Sequence, residues 1–122
     1  MIIEYGRMKM SVNEKLYKQE ILELTSFIRN GDKFKQLQKL LTEEGFDLAQ
    51  TMLVSFFEDE EGMEYGVLVE NDKRVFEYTR YTMNDKKKDE SLMVKEITNL
   101  PEEIEKYPQI PISFKLINED KQ

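Results

Sequence analysis

The sequence contains no cysteine and no histidine. Without thiols there are no disulfides, no thiolate metal sites and no cysteine nucleophile. Without imidazoles the commonest general base, the commonest transition-metal ligand and the usual near-neutral proton switch are missing. Zinc and copper chemistry is set aside, and only hard cations held by carboxylate oxygens remain as a metal class to consider. Long apolar runs are lacking too: none approaches the roughly 20 residues that a bilayer-spanning helix needs, and the N-terminus lacks the apolar core of a secretory signal. The expectation is a cytoplasmic protein without membrane association, although a cysteine-free chain is indifferent to redox compartment. There is also no P-loop, no GxGxxG and no GxSxG, and any serine nucleophile would have no histidine partner.

What is present is charge, and more of one sign. Of 122 residues, 25 are acids and 18 are bases, for a net charge of −7. The first 50 residues hold eight of each, so the whole excess lies in residues 51–122. Such a surface repels phosphate backbones and argues against nucleic-acid binding, while it steers basic partners inward. The length predicts a single domain over 1–122, large enough for one hydrophobic core.

From residue 11 the hydrophobic period is that of a helix. Ser11 and Glu14 have capping-box spacing, and Tyr17, Ile21, Leu24 and Ile28 fall on one stripe, widened by Leu16 and Phe27. Glu14 and Lys18 are spaced for an i,i+4 ion pair. Gly31 is expected to end this helix in the left-handed conformation. Asp32 would cap a second helix bearing Phe34, Leu37, Leu40 and Leu41, and Gly45 would close that one. Residues 1–10 read either as a short strand, with Ile3 and Tyr5 on one side, or as a flexible arm.

After residue 50 the period becomes 2. The stretches TMLVSFF, EYGVLVE, RVFEYTRY and SLMVKEI read as strands. A two-residue turn at Asn71-Asp72 would pair residues whose numbers sum to 143, setting Tyr65 against Tyr78 and Val67 against Phe76 on a core face. Glu64, Gly66, Glu77 and Thr79 would then share a wet face, with Leu68 and Val75 as a residual apolar patch. Residues 83–90, where Lys86-Lys87-Lys88 is hemmed by acids, read as a solvated loop. NLPEEIEKYP reads as a short helix. QIPISFKLI reads as a final edge strand, because Ile110, Ile112, Phe114 and Leu116 alternate and Pro111 cannot donate to a ladder. Residues 118–122 form a tail. The predicted fold is α+β: an N-terminal helical hairpin packed on a four- to five-stranded, mainly antiparallel sheet, in the order α-α-β-β-β-β-α-β.

The most conspicuous run is Glu58-Asp59-Glu60-Glu61. It is not an EF-hand: with Gly62 at the glycine position, the first and twelfth ligands would be Phe57 and Leu68, neither an oxygen donor. Consecutive acids in a turn stay hydrated, whereas acid/base work needs a carboxylate shifted by burial or a close like charge. Glu64 and Glu77 make a better pair, diagonal to each other across Gly66 in the expected register, although two surface glutamates on a wet face is the plainer reading.

No catalytic, cofactor or metal residue is therefore assigned. The leading expectation is a non-enzymatic protein-binding module whose acidic face engages a basic partner. Its size and charge suit a stoichiometric inhibitor, such as an immunity protein masking a basic nuclease toxin, or a regulatory adaptor. Its contact residues would be Glu58, Asp59, Glu60, Glu61 and Glu64, with Glu102, Glu103 and Glu105 as a second patch. The alternative is a small-ligand pocket protein or enzyme. Helices followed by a curved antiparallel sheet resemble, in outline, the cone-shaped nuclear-transport-factor-2-like superfamily. That resemblance implies a pocket lined by Tyr65, Phe76, Tyr78 and Phe114, with Glu77 or Glu64 as base. A third class is a structural or self-associating domain with a free strand edge open to β-augmentation.

Overall fold

The change of period near residue 50 is where helix gives way to sheet. The computed structural model describes residues 2–81 and 92–120, so the loop expected at 83–90 lies outside the described residues. Within them α1 spans Ile2–Asn30 and α2 Lys35–Glu43. Four strands follow: β1 Thr51–Glu58, β2 Met63–Glu70, β3 Val75–Tyr81 and β4 Met93–Ile97. They form one antiparallel sheet in sequential order. Two further helices, α3 Leu100–Lys106 and α4 Gln109–Asp120, end the described chain. The α+β class and the helices-before-sheet arrangement are as expected, and the order is α-α-β-β-β-β-α-α. No helix among the described residues is long and apolar enough to cross a membrane.

The last element corrects the expected edge strand. Ile110, Ser113, Leu116 and Ile117 are all buried, a helical spacing that the coincident alternation of apolar residues obscured. Pro111 sits in the first turn of α4, where backbone N–H groups have no intrahelical acceptor, so proline costs the helix no hydrogen bond. The N-terminus is corrected as well. Neither strand nor arm, residues 2–10 continue α1, which places Ser11 inside the helix rather than at its cap. Adding turns to an existing helix avoids the nucleation cost that an isolated segment would bear.

The helix ends differ in how they stop. Gly45 has φ +98°, its N–H bonds Thr42 O at 3.0 Å and that of Phe46 bonds Leu41 O at 3.0 Å, the paired bonds of a Schellman ending. Gly31 instead is extended, with φ −74°. Its need is for space, since a Cβ there would stand 2.7 Å from Phe27 O. Asp32 makes no cap; the exposed carbonyls of Phe27 and Gly31 are met by Gln38 Nε2 at 3.2 and 3.0 Å. Nor do Glu14 and Lys18 pair with each other. Both reach α4, at 2.8 Å to Lys115 and 3.3 Å to Glu119.

The sheet is covered on both faces, not one. On one face Leu53, Leu68, Phe76 and Tyr78 pack against Leu37 and Leu41 of α2. On the other, Met52, Val67, Val69 and Val75 pack against Ile110, Leu116 and Ile117 of α4. Helix α1 runs beside β1 and gives Ile28 to the first cluster and Ile21 to the second. It also closes that sheet edge: Thr25 Oγ1 accepts from Leu53 N at 3.1 Å, and Arg29 Nη2 donates to Thr51 O at 3.1 Å. Leu16 and Phe27, expected to widen the buried stripe, are 60% and 46% exposed.

The β2–β3 register differs from expectation by one residue. The connection has three residues, not two: Glu70 N bonds Arg74 O at 2.9 Å, and Lys73 takes the left-handed conformation at φ +69°. Asp72 Oδ1 accepts from Arg74 N at 3.1 Å and holds the bend. Gly66 thus opposes Tyr78, Leu68 opposes Phe76, Glu64 opposes Arg80 and Tyr65 opposes Thr79. Leu68 and Val75, expected as one exposed patch, are buried on opposite faces.

Candidate functional site

Three groups of side chains follow from this register. The first is buried. Glu64, expected on an acidic surface, has a side chain only 2% exposed. Its Oε2 accepts from Tyr78 OH at 2.7 Å and Arg80 Nε at 3.1 Å, and its Oε1 accepts from Arg80 Nη2 at 3.2 Å. Burial, then the negative charge of Glu64, raises the Tyr78 hydroxyl far above its ordinary value, so it remains a donor. Both carboxylate oxygens are committed to internal donors, and the side chain offers nothing to a partner. Arg80 is the residue that the sequence reading missed; a register sum of 144 would have set it opposite Glu64.

The second group lies on the other face. Glu77 projects opposite to Glu64, so the two do not form the expected pair. Its neighbour there is Glu103 on α3, a second carboxyl group. Glu103 Oε2 is buried without a hydrogen-bond partner among the described residues, while Oε1 lies 3.5 Å from Lys106 Nζ. Burial, then contact with Glu103, raises the Glu77 pKa above the ordinary 4.5, opposed by Lys106 and Lys95. Tyr107 is raised as well, by burial and then by Glu77 and Glu103. Leu100 and Ile104 hold α3 on the core beside this pair. Glu103 is thus withdrawn from the acidic surface, at 12% side-chain exposure, while Glu102 and Glu105 remain exposed.

The third group is open. Helix α4 covers only part of its face, and beyond it a cross-strand row runs Phe57, Tyr65, Thr79, Met93, each directly opposite the next. Phe57 is 60% exposed, Tyr65 41% and Met93 71%. The Phe57 and Tyr65 rings lie 6.1 Å apart. At one end of the row, Ser55, Phe57, Tyr65, Val67 and Tyr107 line a groove of about 300 Å3. Tyr107 directly follows α3.

Residue 57 runs straight into the acidic loop. Asp59 is consumed in building it: Oδ1 accepts from Glu61 N and Met63 N, both at 2.9 Å, and Gly62 turns the chain at φ +89°. Glu60 and Glu61 are exposed on this braced turn. Among the described residues no three acids gather as a metal site would require.

The pocket implied by the cone-shaped alternative is not built from its expected residues. Phe76 and Tyr78 lie on one face, Tyr65 and Phe114 on the other. No family model, curated protein or solved structure matches the chain.

Proposed function

We propose that this protein is a non-enzymatic binding module that engages a basic protein partner through its acidic β1–β2 loop and the apolar row beside it. The observation that carries the reading is the juxtaposition of exposed Phe57 and Tyr65 with Glu60 and Glu61. Exposed aromatics at the centre of a patch supply binding energy when desolvated, and charges at the rim set orientation and association rate. Isolated surface hydrophobics need no explanation, but three in one cross-strand row do. Of the acids expected at the contact, Glu60 and Glu61 stand exposed on the loop, Asp59 braces it, Glu58 is the last residue of β1, and Glu102 and Glu105 lie on α3. A stoichiometric inhibitor of a basic protein is the role that fits such a surface.

The test is a comparison of partners captured from the native host by the wild-type chain and by a Phe57→Ser/Tyr65→Ser variant. A basic protein lost from the variant supports the reading. With that partner in hand, Glu60→Lys/Glu61→Lys should slow association and flatten its salt dependence. An on-rate at low salt that ignores this charge reversal removes the acidic loop from the account.

A further inference from the structure

Resting on that protein-binding reading, the geometry points to the partner's element: an amphipathic α-helix with a basic end over the β1–β2 loop, laid along the Phe57–Tyr65–Thr79–Met93 row in the part of the sheet face that α3 and α4 leave open.

Backbone chemistry separates a helix from a strand at this place. An extended segment laid on a face of side chains would have no ladder for its own N–H and C=O groups, and would add to a sheet edge instead. A helix satisfies its backbone internally and brings only side chains to the surface. The same face already accepts one helix in this manner, since Ile110, Leu116 and Ile117 of α4 cover Val67, Val69 and Val75.

The dimensions agree. Strands lie about 4.8 Å apart, so a row across four of them spans roughly 14 Å. Two turns of helix, from an apolar residue at i to those at i+3 or i+4 and i+7, advance about 10.5 Å. Three such side chains therefore meet the row, and the groove of about 300 Å3 beside Tyr107 takes one large apolar side chain at its end.

The charge follows from what borders the row. Thr79 is its only polar member, and none of the four residues is charged. The border at the Phe57 end is acidic, with Glu60 and Glu61 exposed on the loop, while at the Met93 end the exposed Lys95 shares the face two residues along β4. A helix carrying lysine or arginine at the end that lies over Glu60 and Glu61 is complementary to this loop, and one acidic at that end is repelled by it.

The probe is a synthetic leucine/lysine peptide patterned at helical spacing, titrated into the isotopically labelled full chain by NMR. Its isomer of equal composition, patterned at strand period, serves as comparison. The helical peptide is expected to bind more tightly than the isomer, to gain helicity on binding, and to shift the amides of Phe57, Tyr65, Thr79, Met93 and Tyr107. Phe57→Ser/Tyr65→Ser should weaken it about tenfold or more. Both positions are exposed, so the fold should survive, and unchanged spectra from the opposite face check this. Preference for the strand-period isomer, with shifts confined to β4, overturns the helix and favours edge addition. Shifts confined to residues 58–61, with affinity indifferent to the double serine variant, also overturn it but leave the acidic-loop reading standing. Indifference to Glu60→Lys/Glu61→Lys counts instead against that reading. Failure of both peptides to bind overturns the inference.

Discussion

The ring of Tyr78 lies over Gly66, so close that a Cβ at position 66 would stand 1.9 Å from Tyr78 Cε2. Because Gly66 leaves its side of the strand bare, the ring can cross β2 and deliver its hydroxyl to Glu64 at 2.7 Å. Gly66→Ala should therefore cost more than strand propensity alone implies. Moving the ring both overpacks the core and removes a buried hydrogen bond, for a combined loss of about 2–4 kcal/mol. Urea denaturation measures it, and a cycle with Tyr78→Leu should show strong coupling between the two positions. Additive losses would mean that the ring does not depend on the glycine.

Glu64 and Arg80 make the only ion pair among those described whose members are both nearly buried, at 2% and 8% side-chain exposure. Removing one member strands the other's charge. Glu64→Ala should destabilise by about 3–5 kcal/mol, whereas replacing both by apolar residues of similar volume should cost far less. If the single and double variants unfold at the same urea concentration, the pair is not interacting as its geometry requires. Either result bears on stability alone: Glu64 has no accessible surface for a partner, so binding by correctly folded double variants should be unchanged.

Why one glutamate could be misplaced while seven of the eight principal elements were legible is a matter of which local signals compete. The long stripe of α1, the β-branched and aromatic strands and the proline-led α3 each had one dominant period. Residues 109–117 satisfied two periods at once, since Ile110 and Leu116 fit both alternation and a helical stripe, and Ser113 looked solvent-facing although it is buried. Lys73 was the second ambiguity. A lysine in the left-handed region carries no sequence flag, yet it lengthens the turn and moves every partner in β2 and β3 by one. Alternation could not expose the error, because α4 buries the second face and Val67, Leu68 and Val69 are all interior. The acidic loop was legible as a loop. The row beside it was not, because it exists only through the register of four strands.

The carboxyl pair at Glu77 and Glu103 predicts a pH dependence with a definite sign. Glu77 faces Glu103, Lys106 and Tyr107 from the α3 side and Lys95 on β4, and burial and Glu103 raise its folded pKa above the ordinary 4.5. The folded state then holds more protons than the unfolded state between those two values, and stability falls as pH rises through that interval. Amide exchange in Leu100–Lys106 should accelerate over the same window, with the rest of the sheet unchanged. Glu77→Gln, which presents a permanent donor to Glu103, should remove this dependence and protect α3 at neutral pH. Faster exchange on acidification, or no effect of the glutamine, would contradict a destabilising approach of the two carboxyl groups.

The hydrogen bond from Leu53 N to Thr25 Oγ1 makes a last prediction, about why β1 is a closed edge. An edge strand presents unpaired donors and acceptors that invite other chains. Here Thr25 meets one N–H and Arg29 meets the Thr51 carbonyl, so α1 serves as the missing neighbour strand. Thr25→Val keeps the shape and leaves the Leu53 N–H buried and unpaired, which should cost about 1–3 kcal/mol. Thr25→Ser should retain most of the stability because it keeps the acceptor. Exchange at the Leu53 amide separates this from simple packing: it should quicken in the valine variant more than at neighbouring Met52 and Val54, and stay slow in the serine variant. Combined with Arg29→Met, the valine variant should also self-associate through the uncovered edge, visible as concentration-dependent sedimentation. A valine variant as stable and as monomeric as the wild type would show that packing by α1, rather than its polar side chains, protects the strand.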